Sequence, residues 1–585
     1  MTIRRIFRLL FVLCLLVAAA PATARAEAAT YYVAVNGSDS AGNGSSSQPW
    51  QTISYALQHV PDGSLILARP GTYNGQVVLR GNFSQGVTVR SETPYQARLR
   101  HNGQALVATG GVSGITLEGF DIAHSGPGSS TLVIHINGSR RVGLLHDITL
   151  RNNILHDSYQ SDILKIDASS SRVIVEGNVF YNQTGSDEHI DINSAQDIII
   201  RNNIFFNNFE GSGRPNNNDT SSYIVIKDSS GTDDQLLGSK NITVSGNVFL
   251  NWQGLSSSAF VMVGEDGKPY FEAEGVLVEN NLMLGNSPHI IRAPLAVWGA
   301  KDVTFRSNTV SGDLPANAYA MLLSKAVDNQ ANENIRFFNN IWSDPTGTMG
   351  AQNSQGRNDF SDTPPANTAS FAIDRNLYWN GGRAIPVNAE DKVNYTNDAR
   401  PILGDPGLPR VGTVALPHWD PNAGRFGDGS SSIAEAFERL VRAYGVIPAN
   451  SPAVGAADPA NAPTVDILGR ARGGRVDIGA YQSAPGVVVV GRGRNRSAQL
   501  EWQFGGSLPA GTTWTIGYTS PAGNNPSAAR NLPADTRSYE INGLTNYVRH
   551  TFTVSAIGPD GNTIYSTSTQ VLPTDIFYFL PLTRR

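Results

Sequence analysis

Four short segments share a strand-like alternation and carry residue types able to do chemistry: Ile134-His135-Ile136-Asn137, Leu164-Lys165-Ile166-Asp167, Ile190-Asp191-Ile192-Asn193 and Ile224-Val225-Ile226-Lys227. Alternate side chains of an extended chain face opposite ways, so the Ile and Leu residues belong to a core and those between them face outward. Stacked in register, His135, Lys165 and Asp191 form one outward file and Asn137, Asp167, Asn193 and Lys227 the next, close enough to share a ligand. Asp187, Glu188 and His189 arrive just before the third segment. Carboxylates and amides gathered in this way suit Ca²⁺, which takes about six to eight oxygen ligands at ~2.3–2.6 Å. The candidate metal ligands are Asp167, Asp187, Glu188, Asp191 and Asn193. A lysine beside a bound cation is expected to have a lowered pKa and to act as a base, and Lys165 and Lys227 are equal candidates. His135, His189 and Arg292 are candidates for contacting an anionic ligand. The competing reading is a solvated outer face on which Lys165 and Asp191 form an exposed ion pair of little energy.

A second acidic group, Glu265, Asp266, Glu272 and Glu274 around Gly267-Lys268-Pro269, is a candidate calcium loop or hydrolytic carboxylate pair. The aromatic residues Trp252, Tyr270, Phe271 and Trp298 are candidates for stacking on sugar rings, against the commoner packing role. No G-x-S-x-G elbow, H-E-x-x-H helix or phosphate-cradling P-loop occurs.

The elements that must position these residues are announced by a repeat. Ile148-Thr149-Leu150-Arg151-Asn152-Asn153-Ile154 is echoed by Val173-Ile174-Val175-Glu176-Gly177-Asn178-Val179 and by Ile198-Ile199-Ile200-Arg201-Asn202-Asn203-Ile204, and later copies end on Asn247, Asn281, Asn308, Asn340 and Asn376. The first two intervals are 25 residues and later ones stretch to between 27 and 44. Such a period with strand-like alternation means a solenoid of β coils whose strands stack in parallel at roughly 4.8 Å. The recurring Asn is expected to close a bend, through side-chain hydrogen bonds and a tolerance for left-handed backbone. The fold class is therefore all-β: a right-handed parallel β-helix followed by a small β-sandwich.

Tyr31-Tyr32-Val33-Ala34-Val35-Asn36-Gly37-Ser38-Asp39, then Gln48-Pro49-Trp50-Gln51-Thr52-Ile53 and Arg69-Pro70-Gly71-Thr72-Tyr73, resemble the opening of parallel β-helix polysaccharide lyases and related exported proteins. The resemblance implies an entry strand, a capping helix and a first coil. Ser451-Pro452-Ala453, Asp466-Ile467-Leu468-Gly469-Arg470 and Asp477-Ile478-Gly479-Ala480-Tyr481 resemble the ending of such proteins. Because family lyases carry metal and base on an outer sheet groove, the resemblance implies a calcium-dependent lyase. The cation would neutralise a uronate carboxylate, the lysine would take the C5 proton, and the glycosidic oxygen would leave by β-elimination. Arg292 would then grip a uronate. The scaffold also serves adhesins, epimerases and hydrolases, so a noncatalytic glycan-binding surface protein and a glycoside hydrolase remain alternatives. The polygalacturonase-type combination of paired Asp with Gly-His-Gly and the Asp-Pro-His motif of mannuronan epimerases are absent.

Residues 1–26 read as a secretory signal peptide: Arg4, Arg5 and Arg8, the apolar run Leu9 to Ala20, then Ala24-Arg25-Ala26. Its removal takes four arginines and no acid, so the formal charge goes from −5 to −9, which disfavours nucleic acid as a partner. It also takes Cys14, the single cysteine, so the exported chain must be held by its own core. A secreted, extracellular or cell-surface protein with no transmembrane anchor and a polysaccharide partner is expected; oligomeric state stays open, with a monomer as the working expectation. Residues 27–486 are assigned to the β-helix, interrupted near 400–450 by Pro-rich loops and an amphipathic helix, Ser431 to Tyr444, with Ile433, Phe437, Leu440 and Val441 on one face. Residues 487–573 resemble a fibronectin type III domain, with His550 where the corner tyrosine normally stands. Residues 574–585 form a short apolar and basic tail.

Overall fold

The computed structural model describes residues 28–575 apart from 216–217, 251–252, 255–257, 286–290, 314–317, 327, 354–355, 473–474, 484–486 and 505–507. The segment read as a signal peptide, the last ten residues and Trp252 thus lie outside the described residues.

Three parallel sheets of 12, 12 and 10 strands form a right-handed β-helix. One coil shows the course of all of them: His146–Arg151 lies in the first sheet, Ile154–His156 in the second, Leu164–Asp167 in the third, and Ser171–Glu176 returns to the first. The inward residues of all three sheets, among them Ile148, Leu150, Leu155, Leu164 and Ile166, join one buried core. Aromatic rings stack along it, Phe180 on Phe205 and Phe205 on Phe249, each with centroids 4.9 Å apart. At the N-terminal end, α1 (Ile53–His59) begins at Thr52, whose hydroxyl accepts from Tyr55 N, and its Ile53, Ala56 and Leu57 close onto the core.

The recurring asparagines form a continuous ladder between the first and second sheets. Each backbone N–H and Nδ2 donates to Oδ1 of the next, from Asn153 through Asn178, Asn203, Asn247, Asn281, Asn308 and Asn340 to Asn376, and Asn376 donates to Asp398. The left-handed backbone expected of these asparagines belongs instead to the residue before each: Asn152, Gly177, Asn202, Gly246, Asn280, Ser307, Asn339 and Arg375 have φ between 51° and 66°. The work is divided, with one residue turning the chain and the next satisfying the groups the turn exposes. Asn203→Ala would strand Asn178 N–H and Val175 C=O, which Asn203 now pairs. A loss of about 1–3 kcal/mol for each group left unpaired is expected, read as a lower urea midpoint.

The outer face of the second sheet is also apolar. Ile154, Val179, Ile204, Val248, Leu282, Ile341 and Leu377 are buried under a strap that contributes Val411, Trp419, α2 (Ile433–Tyr444) and residues as far as Tyr481. Serine 432 caps α2 by accepting from Glu435 N, and Ile433, Ala436, Phe437, Leu440 and Val441 are its buried face. With its first sheet exposed and its second covered, the solenoid leaves the third sheet as the face on which the chemistry-bearing residues stand.

After the solenoid, a three-stranded and a four-stranded antiparallel sheet share a core centred on Trp502, Trp514, Ile516, Phe552 and Val554. His550 is buried there, with Nε2 3.4 Å from the carbonyl of Thr545.

Candidate functional site

Four strands of the third sheet carry the site: β1 (Ile134–Asn137), β2 (Leu164–Asp167), β3 (Ile190–Asn193) and β4 (Ile224–Lys227), followed by β5 (Ala259–Val263). Their parallel register sets His135, Lys165, Asp191 and Val225 in one file and Asn137, Asp167, Asn193 and Lys227 in the next. The Ile and Leu partners are buried inside.

The outer face is not an open groove. Asp191 is only 2 % exposed, which corrects the reading of an exposed ion pair with Lys165. Lys165 Nζ donates to Asp191 Oδ2, and Asp191 Oδ1 is buried without a hydrogen-bond partner among the described residues. Beside it lie Asp162 and Glu188, both buried, and one carboxylate oxygen from each of the three lies within 4.8 Å of the others. Asp162 accepts from Glu188 N at 3.0 Å. Burial, then the neighbouring Asp191 charge, raises the Asp162 carboxyl. Burial and the charges of Asp162 and Asp191 push Glu188 well above the usual carboxylate range. Burial, then the Asp162 charge, pushes Asp187 up to about 7. These are the signs of negative charge gathered with too little positive charge to match it.

Asp162 was missed from sequence. It lies just before β2 as Glu188 lies just before β3, and Ile163 N donates to Glu188 O across the coils. Stepping one coil back from Glu188 would have found it.

Several sequence expectations need correction. Asp167 is committed to His135, whose Nε2 lies 3.0 and 3.1 Å from its two oxygens. Asn193 is committed to Ser229, donating from Nδ2 to Oγ at 2.7 Å and accepting from N at 2.9 Å. Neither belongs to the carboxylate group. His189 is wholly buried between Phe180, Phe205 and Tyr223, with Nε2 3.0 Å from Asn207 Oδ1, and burial pulls its pKa down to about 3. It sits at the inward corner that Val133, Ile163 and Tyr223 fill in neighbouring coils, all with no exposed surface, so it cannot meet a polymer. Arg292 donates from Nη2 to Asp362 Oδ2 at 2.8 Å. Its strand, Ala293–Trp298, is three strands along from β3, about 14 Å at the usual spacing, so Arg292 is not brought into the carboxylate group.

Neither lysine has the lowered pKa expected of it. Burial alone would pull the Lys165 ammonium down, but the charges of Asp191 and Asp162 hold it above the usual value. Lys227 is likewise raised against burial, by Asp191, Glu265 and Glu188. Its Nζ donates to Glu265 Oε2 and lies 3.7 Å from Asp266 Oδ1.

The second acidic group does not form the metal loop or carboxylate pair expected of it. Glu272 is buried and spent on the backbone, accepting from Glu265 N and Asp266 N, both at 2.9 Å, and from Lys268 N at 3.1 Å. Glu274 points at Lys240, 3.7 Å away. Of the aromatic candidates, Tyr270 donates to Asp228 O at 3.1 Å, Phe271 lies under the Lys301 ammonium, and Trp298 packs on an outer apolar patch that includes Met262 and Leu322.

A second buried ionic group was not expected. His156 bridges Asp121, at 2.8 Å from Nε2, and Asp157, at 2.7 Å from Nδ1, with Arg100 on Asp121 and Arg214 on Asp157. Every carboxylate in it has a cationic partner, which distinguishes it from the Asp162 group.

Fold and site together define a parallel β-helix protein with an under-compensated carboxylate group and two flanking lysines on one sheet face. No family model matches the chain, and no curated protein matches it. Solved structures similar to it include pectate lyase Pel9A, with 15 % identity over 78 % of this chain and 96 % of that one at a TM-score of 0.43. A rhamnogalacturonan lyase shows 14 % identity over 68 % and 97 %, at 0.31. The surface protein and adhesin PfbA of Streptococcus pneumoniae shows 11 % over 56 % and 80 %, at 0.32. At these values no residue role is taken from any of them. Among the described residues no helix is long and apolar enough to cross a membrane.

Proposed function

We propose that the protein is an exported calcium-dependent polysaccharide lyase that cleaves a uronate-containing polymer by β-elimination. The observation that carries this reading is the group Asp162, Glu188 and Asp191, buried, mutually close and with Asp191 Oδ1 unpartnered. Hard oxygen donors of this kind suit Ca²⁺, and Asp187 is near enough for its charge to act on the group. Asp162, Asp187, Glu188 and Asp191 are assigned to hold the ion. When bound, calcium would neutralise the uronate carboxylate and acidify the proton at C5.

Lys227 is the proposed base. Lys165 is bonded to Asp191 itself, so its ammonium competes for a ligand oxygen; Lys227 stands one strand further, in the adjoining file, with its ion pairs to Glu265 and Asp266, outside the group. His135, partly exposed and oriented by Asp167, is the proposed sugar contact. The antiparallel C-terminal unit is proposed to be a fibronectin type III-like spacer or binding module.

One observation favours a second reading. Both lysines are held protonated by acids, as suits a noncatalytic glycan-binding face. Ultraviolet absorbance of the mature protein with a panel of acidic polysaccharides separates the two. A calcium-dependent rise from unsaturated ends, abolished by chelator, is expected. A flat trace without new reducing ends would leave the binding protein, and a flat trace with them a hydrolase.

A further inference from the structure

Residues 264–272 hang beside the site and present two acids to Lys227 from the coil that follows it. Glu265 accepts directly from Lys227 Nζ, and Asp266 stands 3.7 Å away. The segment is built to keep them there. Buried Glu272 binds three successive parts of its backbone, at Glu265, Asp266 and Lys268, and is itself anchored by Asn329 Nδ2 at 3.0 Å. Gly264 enters the turn with φ +82°, where an added Cβ would strike the backbone carbonyl of Trp298.

We propose that Glu265 is a positioning residue: it fixes the Lys227 side chain on the third sheet through an ion pair that the Glu272-stapled segment holds in place. This rests on the lyase reading and deepens it. Four acids face the Lys227 ammonium: Glu265 and Asp266 from the stapled segment, and Asp191 and Glu188 from β3 and the turn before it. The raised pKa of Glu265 itself, set by burial and by Asp191 against the opposing pull of Lys227, accords with a carboxylate kept in contact with this group.

The test is Glu265→Gln, which keeps the shape and removes the charge. One readout needs no turnover: reductive ¹³C-methylation of the calcium-free protein, following the Lys227 resonance, assigned by its absence in Lys227→Arg, as pH rises. Its titration midpoint is expected to fall by at least about one unit in Glu265→Gln, the usual effect of removing an adjacent opposite charge. In the loaded protein the rising limb of the pH–rate profile should move to lower pH by a similar amount. Glu265→Asp should restore most of the wild-type profile. An unmoved lysine midpoint overturns the inference while leaving the lyase reading intact. Absence of elimination by the wild-type protein on every acidic polymer overturns the lyase reading and this inference with it.

Discussion

Lys227→Ala is expected to lower kcat for calcium-dependent elimination by about 10²–10⁴-fold, the usual worth of a positioned general base, with calcium affinity little changed. Truncation removes the amine that stands in the file next to Asp191, and it leaves Asp162, Glu188 and Asp191 in place. It also frees Glu265 and Asp266 of their cation, so the variant should be checked for an unaltered unfolding transition. Lys165→Ala should behave differently. Its ammonium competes with a metal for Asp191 Oδ2, so calcium should bind more tightly, as measured by calorimetry, while turnover survives. Equal loss of turnover in Lys165→Ala, with Lys227→Ala active, would reverse the assignment of the base.

The second large effect is on stability. Asp162, Asp187 and Glu188 all have raised pKa values in the folded chain, Asp187 reaching about 7. Between the unfolded carboxylate value near 4 and that point the folded state binds more protons than the unfolded one, so these groups cost stability as pH rises through the interval. The proposed calcium binding would require the deprotonated form and offset that cost. The calcium-induced increase in Tm should therefore be small at pH 5 and grow to roughly a few degrees by pH 8, where an ion at a hundred times its Kd contributes about 2.7 kcal/mol. Asp191→Asn should remove most of the increase. A calcium response that does not change with pH, or that survives in Asp191→Asn, would place the ion elsewhere.

The solenoid was legible because its signals are local and repeated. Alternation in Leu164-Lys165-Ile166-Asp167 and its neighbours gives the facing of each side chain, and the period between Asn153, Asn178 and Asn203 gives the stacking. The site was legible in its file order and not in its burial. The segment after β5 brings Glu265 and Asp266 onto the outward face at Lys227, and acids crowd that face, so an outward parity no longer means exposure, as Asp191 shows. Parity also fails at the corners: His189 precedes β3 by one residue, where the chain turns and the side chain enters the core. The pKa of each lysine depends on how many acids surround it, and Asp191 and Glu265 reach Lys165 and Lys227 from the following coils, a proximity that no single strand reveals.

The asparagine ladder has a direction. In its bonds to the next rung every asparagine donates towards the C-terminus and relies on an oxygen supplied by a later coil, up to Asp398, where a carboxylate ends the series. A chain emerging from its N-terminus therefore carries, at every stage of synthesis, a last coil whose turn is unpaired, and the debt is handed forward coil by coil until Asp398 arrives.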